Sequence, residues 1–164
     1  MIYKLFKQKA GSERIATPLS INKIVELSKE SKKTLELGGG IGTLSYAVLN
    51  SSDGELEIYE DNVFCIQQLL ENLKEYSGKF TLHRYTEKPH YIDYDLVIVD
   101  GGDLDFTNEL FELINVRVVY IEGIRRLQRK IIREQLSKRF AISVEHVNTD
   151  GVFKGGTVYR CYDL

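Results

Sequence analysis

Four glycines crowd the stretch Glu36-Leu37-Gly38-Gly39-Gly40-Ile41-Gly42, between a short apolar run and a helical one. Glycine permits turns that side chains forbid and lets bare amide groups lie against a ligand. At the carboxyl end of the first strand of a doubly wound sheet, such a loop lies where ligands bind. Glu60, followed by Asp61, closes the next apolar run, and a carboxylate there can accept both hydroxyls of a ribose. Two more acids, Asp100 after Leu96–Val99 and Glu122 after Val116–Ile121, stand at strand ends. They could orient or deprotonate a nucleophile, so they are the candidate catalytic pair. With Asp103 they also offer hard oxygen ligands, but capping and polarising a cleft is the plainer role, and no metal is expected. Arg125 and Arg126 follow at once and Lys154 lies in a late loop, a set suited to binding an anionic substrate.

The spacing of the glycines discriminates between cofactors. The dinucleotide pattern G-x-G-x-x-G counted from Gly38 requires glycine where Thr43 stands; counted from Gly39 or Gly40 it meets Leu44 or Ser45. A nicotinamide oxidoreductase therefore fails on spacing. The pattern present, E-x-G-x-G-x-G, resembles motif I of class I S-adenosylmethionine-dependent methyltransferases, and the likeness runs from about Thr17 to the C-terminus. The resemblance implies S-adenosylmethionine as cofactor. Gly38, Gly39, Gly40 and Gly42 would contact it, Glu36 would orient the loop and the methionine part, and Glu60 with Asp61 would meet the ribose. Thr17 would border the cofactor's carboxylate, Tyr85 would stack on adenine, and Asp100 stands where catechol-type O-methyltransferases carry an acid. The chain departs from those enzymes where Glu122-Gly123 replaces their Asp-Asn pair, and it lacks an Asn-Pro-Pro-Tyr signature. The implied activity is methyl transfer to a small-molecule or phosphorylated acceptor. The alternative is a non-catalytic S-adenosylmethionine binder or a subunit of a methyltransferase complex.

The elements that must hold these residues alternate short β-branched runs with longer amphipathic ones, the signature of parallel strands joined by crossover helices. Strands are expected at 34–37, 56–59, 80–83, 96–99 and 116–121, then an antiparallel pair at 141–147 and 157–162. Helices are expected near 18–31, 43–50, 61–76, 105–114 and 124–140. In the third, Val63, Ile66, Leu69, Leu70 and Leu73 should share one side; in the last, Ile124, Leu127, Ile131, Leu136 and Phe140 should do so. Residues 84–95 show little periodicity, which predicts an irregular crossover. The expected fold is α/β: a doubly wound, mostly parallel seven-stranded sheet with helices on both faces and an antiparallel C-terminal strand pair. It forms one domain, with residues 1–32 as a helical segment and 33–164 as a Rossmann-like core.

With 164 residues, 43% of them hydrophobic and 28% charged, the chain has the composition of an ordinary globular domain. A net charge of −2 gives no global reason to expect nucleic acid or an anionic membrane as partner. Seven basic residues between Ile124 and Arg139 leave a nucleic-acid substrate possible, though a solvated helix face accounts for them more simply. Cys65 and Cys161 lack disulfide or zinc spacing and read as buried, reduced thiols. His83 and His146 fall in strands as structural residues, and His90 is a candidate base. No secretory leader and no membrane-spanning run is expected, which makes the cytoplasm the default compartment. Ile2, Tyr3, Leu5 and Phe6 should either pack onto the chain or pair two copies as a homodimer.

Overall fold

Runs that are apolar on both faces belong in a parallel sheet covered by helices on both sides. The computed structural model describes residues 1–148 and 154–164, apart from the side chain of Lys154. It places seven strands in one sheet: β1 (Lys33–Leu37), β2 (Glu55–Tyr59), β3 (Phe80–His83), β4 (Asp93–Val99), β5 (Asn115–Ile121), β6 (Phe140–Asn148) and β7 (Lys154–Asp163). Their order is β3-β2-β1-β4-β5-β7-β6. The first five run parallel, with Leu37 opposite both Tyr59 and Val99. The last strand enters antiparallel between β5 and β6. This is the α/β architecture expected from the sequence.

Helices α1 (Ile2–Lys7), α2 (Pro18–Ser28), α3 (Thr43–Ser51) and α4 (Val63–Asn72) cover one face. Their buried residues Ile24, Leu44, Ala47 and Leu69 pack on Leu56, Ile58, Leu96 and Ile98. Helices α5 (Leu104–Leu113) and α6 (Arg126–Ser137) cover the other, where Leu110, Phe111, Ile132 and Leu136 meet Val97, Val99, Val119 and Ile121. Alternate residues of each strand serve the two cores, as the two-residue period requires. The N-terminal apolar residues are used within the chain: Phe6 is buried edge-on to Tyr46, and Ile2 and Tyr3 join the same core, while Leu5 stays exposed.

Several expectations need correction. Helix α4 starts after Asn62, whose side chain accepts from the Cys65 N–H, and gives way to a 3₁₀ turn at Lys74–Tyr76. Leu69 and Leu73 are buried at the i, i+4 spacing, but Val63 and Leu70, seven apart, form an exposed stripe. In α6 the buried stripe is Gln128, Ile132, Gln135 and Leu136, whereas Ile124 and Leu127 face outward. The two glutamines carry the register there, because each has a polar partner on α5 or the loop before it. Both cysteines are partly rather than fully buried. The irregular crossover is real: residues 84–92 hold neither helix nor strand.

The loops after β1 and β4 meet backbone to backbone. Gly38 has φ +82°, and a Cβ on it would lie 2.5 Å from both the Cα and the N of Gly101. Gly38→Ala combines a left-handed conformation with a backbone clash. It should cost on the order of 2–4 kcal/mol, read as a drop in the urea midpoint, whereas Gly78→Ala, with open space around it, should lose only the positive-φ strain.

Candidate active site

The sheet's own hydrogen-bond ladder, extended one residue past the strands, sets out the acids. The Asp100 N–H donates to Leu37 O at 2.8 Å, the Glu122 N–H to Val99 O at 2.9 Å and the Glu60 N–H to His83 O at 3.1 Å. Glu36 lies inside β1 and is buried, its carboxylate accepting from the Ser45 hydroxyl of α3. Four carboxylates thus gather at the carboxyl edge of the sheet.

Their electrostatics follow from that crowding. Burial pushes Glu36 up to about 8, with the charges of Asp100 and Glu60 adding to the effect and the Ser45 hydroxyl opposing it. Burial likewise pushes Asp100 up to about 7, opposed by Arg125 and assisted by Glu122 and Glu60. One guanidinium is held among them. Arg125 donates from Nη2 to Asp100 Oδ1 at 2.8 Å and to the Asp100 carbonyl, and from Nη1 to Gln128 Oε1. Its backbone has φ +27°, the one positive φ outside glycine among the described residues, and its Nε is buried without a partner. Such strain persists where surrounding contacts hold it.

Between these acids and the N-terminal segment lies a cavity of about 400 Å³, within the usual size of ligand pockets. Glu36, Gly39, Gly40, Thr43, Phe64, Cys65 and Asp100 contribute to its wall, and residues 13–16 close it from above. Gly11 makes that closure possible: with φ +83°, its bare Cα faces the Phe64 ring and Ile41, which a Cβ would meet at 2.8 and 2.9 Å. Two features mark the cavity as made to be filled. A Cβ on Gly40 would touch nothing within 4 Å, and the hydroxyl of Thr43, at the first position of α3, is buried with no hydrogen-bond partner. A buried orphan hydroxyl is costly unless a ligand satisfies it, and the free N–H groups of the helix start favour an anion beside it.

Glu60 Oε2 accepts from the Gly40 N–H at 2.8 Å, and Oε1 accepts from the Asp61 and Asn62 N–H groups, each at 2.9 Å. Asp61 pairs with Arg84 and accepts from the Tyr85 N–H. Tyr85 stacks on Tyr59 and meets Phe106 edge-on, its ring near Gly102 and its hydroxyl near Gly101, and it does not line the cavity. Thr17 caps α2 by accepting from the Ser20 N–H, and the neighbouring Ile15 and Ala16 line the cavity instead. Asp103 caps α5. Glu122 accepts from the Tyr120 hydroxyl and Arg126 is exposed at the start of α6. His90 lies against Glu57 and His83 and has no place in the cavity wall. The side chain of Lys154 lies outside the described residues.

Sequence reasoning missed Thr43, Cys65, Phe64 and Gln128. Gln128 Nε2 lies 2.9 Å from Gly101 O and 3.1 Å from both Gly102 O and Thr107 Oγ1, tying α6 to the loop that carries Asp100. A glutamine on the buried stripe of an amphipathic helix is the signal that could have found it.

No protein-family model matches the chain, and no curated protein matches it in sequence. Solved structures do resemble it. A Thermotoga maritima S-adenosylmethionine-dependent O-methyltransferase aligns over 100% of this chain and 72% of its own, with a TM-score of 0.74 and 14% identity. The Streptomyces achromogenes O-methyltransferase TomG aligns over 98% and 86%, at TM-score 0.68 and 16% identity. A Pyrococcus horikoshii protein provisionally assigned as an RNA methyltransferase aligns over 99% and 96%, at TM-score 0.66 and 18% identity. The chain therefore has the Rossmann-like fold of class I methyltransferases.

The raised carboxyls give the protein a pH signature. Unfolded, Glu36 and Asp100 titrate near 4.5 and 3.8; folded, near 8 and 7. Between those values the folded chain keeps protons that the unfolded chain has released, so their contribution to stability falls as pH rises through that window. The slope is at most about 1.4 kcal/mol per pH unit for each group. Urea unfolding at stepped pH should show Glu36→Gln flattening the decline toward pH 8, and an unchanged slope would contradict the burial of that carboxyl.

Proposed function

We propose that this protein is an S-adenosylmethionine-dependent methyltransferase acting on a small-molecule or phosphorylated acceptor. The observation that carries the reading is the cavity itself: open space at Gly40 and an unpartnered Thr43 hydroxyl, facing carboxylates that outnumber the one guanidinium among them. That balance suits a ligand that is cationic at one place and carries a carboxylate at another.

In this reading Thr43 and the start of α3 take the methionine carboxylate, while Glu36 and Asp100 lie toward its positive groups. Glu60 has spare lone pairs for the ribose hydroxyls beyond the backbone donors it already holds. Asp61 and Tyr85 lie on the ribose and adenine side. The cofactor supplies the electrophilic methyl group, so the protein's share is alignment, exclusion of water and management of one proton. The segment 11–16 covers the cavity and helps exclude water, and residues 1–164 act as one unit in which 1–32 form a helical segment on the Rossmann-like core. Asp100 accepts the acceptor's proton at Oδ2, its affinity for the proton near neutral pH as efficient base catalysis requires. Arg125 fixes the other oxygen, Glu122 holds the local charge negative, and Arg126 with Lys154 offers cations to a phosphorylated acceptor. Catalysis is preferred over simple binding because the cavity reaches a carboxylate of matched basicity.

Calorimetric titration with S-adenosylmethionine and S-adenosylhomocysteine, with NAD as control, tests the reading. Micromolar binding of the first two is expected, lost in Gly40→Arg and weakened about tenfold or more in Glu60→Ala. Preference for NAD, or no binding at all, would overturn it. Asp100→Asn should keep cofactor affinity and lower turnover of the first active acceptor by about a hundredfold; full turnover would remove Asp100 as the base.

A further inference from the structure

Where other crossovers of this sheet carry a helix, β3 returns to β4 through residues 84–92 alone. Beneath that short crossover the sheet buries a carboxylate. Glu57 of β2 is 3% exposed, and its ion-pair partners among the described residues are His83 of β3 and His90 of the crossover, with no lysine or arginine. His83 Nε2 lies 2.6 Å from Glu57 Oε2, His90 Nδ1 lies 4.0 Å from the same oxygen, and the His90 N–H donates to it at 3.0 Å. One donor atom from each of Glu57, His83 and His90 lies within 4.8 Å of the other two.

The geometry points to a site for a divalent transition metal of zinc type, held by Glu57, His83 and His90. Two imidazoles and one carboxylate are a borderline-soft set that suits such an ion better than magnesium or calcium. Three donors each about 2 Å from one tetrahedral ion lie about 3.3 Å apart, so the widest pair, within 4.8 Å now, needs to draw together by at most about 1.5 Å. His83 Nε2 and Glu57 Oε2 would part slightly to admit the ion, and His90, more than half exposed on a loop, can close on it.

The surroundings supply an independent argument. A ligating histidine ordinarily directs its other ring nitrogen to a carboxylate, which fixes ring and tautomer. His83 Nδ1 faces Glu87 Oε2 at 3.3 Å in that relation. The second oxygen of Glu57 is likewise held, accepting from the Tyr94 hydroxyl at 2.7 Å. Tyr59 stacks on the His83 ring at 5.1 Å between centroids, and His90 meets it edge-on. A buried carboxylate with no fixed cation, two imidazoles beside it and partners already in place behind the donors together make a built site. Its fourth position opens to solvent beside His90. The ion would fasten the crossover to β2 and β3, and the same crossover places Tyr85 against the glycine contact.

The test uses tag-free protein stripped with chelator and titrated with zinc against a chromophoric competitor, then with cobalt for its visible ligand-field bands. One equivalent should bind, with tetrahedral-type cobalt bands and a higher unfolding temperature. His90→Ala, a change at an exposed loop position, should keep the fold by circular dichroism, weaken zinc binding at least tenfold and abolish the thermal shift. His146→Ala, on a distant strand, should behave as the parent. Absence of zinc binding by the parent, or equal binding by the parent and His90→Ala, would overturn the proposal, and neither result bears on S-adenosylmethionine binding.

Discussion

Two loops cross where only backbone fits, and the candidate site is assembled around that crossing. Gly38 and Gly101 approach so closely that a Cβ on either would lie within 2.7 Å of the other's Cα. The contact holds the ends of β1 and β4 together at the point where the strand order reverses. In an open α/β sheet this switch point is where two loops diverge to opposite faces and leave a crevice. Because Gly38 and Gly101 are in contact, Asp100 comes near enough to Glu36 to help raise its proton affinity. Gln128 then braces Gly101 from α6, so a helix remote in sequence shares in positioning the acid.

The second constraint is charge. Placing Glu36, Glu60, Asp100 and Glu122 at one sheet edge costs folding energy, since carboxylates withdrawn from water repel one another. The chain answers in part with protons on the most buried of them and in part with Arg125, held in a strained backbone conformation to reach Asp100. Natural sequences break local rules of this kind mainly at functional sites. A bound cation would stabilise the same cluster without strain, which ties the fold's cost to its proposed use.

Periodicity revealed most of the architecture, because strands buried on both faces and helices with one apolar stripe write themselves into the order of residue types. The antiparallel end was legible for the same reason: β6 and β7 alternate. What periodicity could not supply was which of two stripes turns inward, since Val63 and Leu70 are as apolar as Leu69 and Leu73 yet face outward. The glycine loop, Glu60 and Asp100 were legible as a local spacing followed by strand-end acids. Thr43 and Cys65 were not, because their importance lies in a cavity closed by residues 11–16, which are far from them in sequence. His90 was read as a candidate base, but only the tertiary pairing of β2 with β3 reveals that it joins Glu57.

The short crossover connects these observations. A helix between β3 and β4 would cover the sheet above Glu57 with apolar side chains, and a carboxylate there would be unsupportable. With only residues 84–92 available, that face is closed instead by tyrosines and a polar cluster: Tyr59, Tyr85, Tyr91 and Tyr94 around Glu57, His83 and His90. Polar networks of this kind are stable only when every member is satisfied. The Tyr94 hydroxyl, the His90 N–H and the His83 ring account for the contacts to Glu57, and Glu87 accounts for the far side of His83. The short crossover therefore provides a set of directional bonds where a helix would provide hydrophobic cover. Directional bonds fix position more sharply than apolar contact does, and the segment they fix is the one that sets Tyr85 against the loop of Asp100.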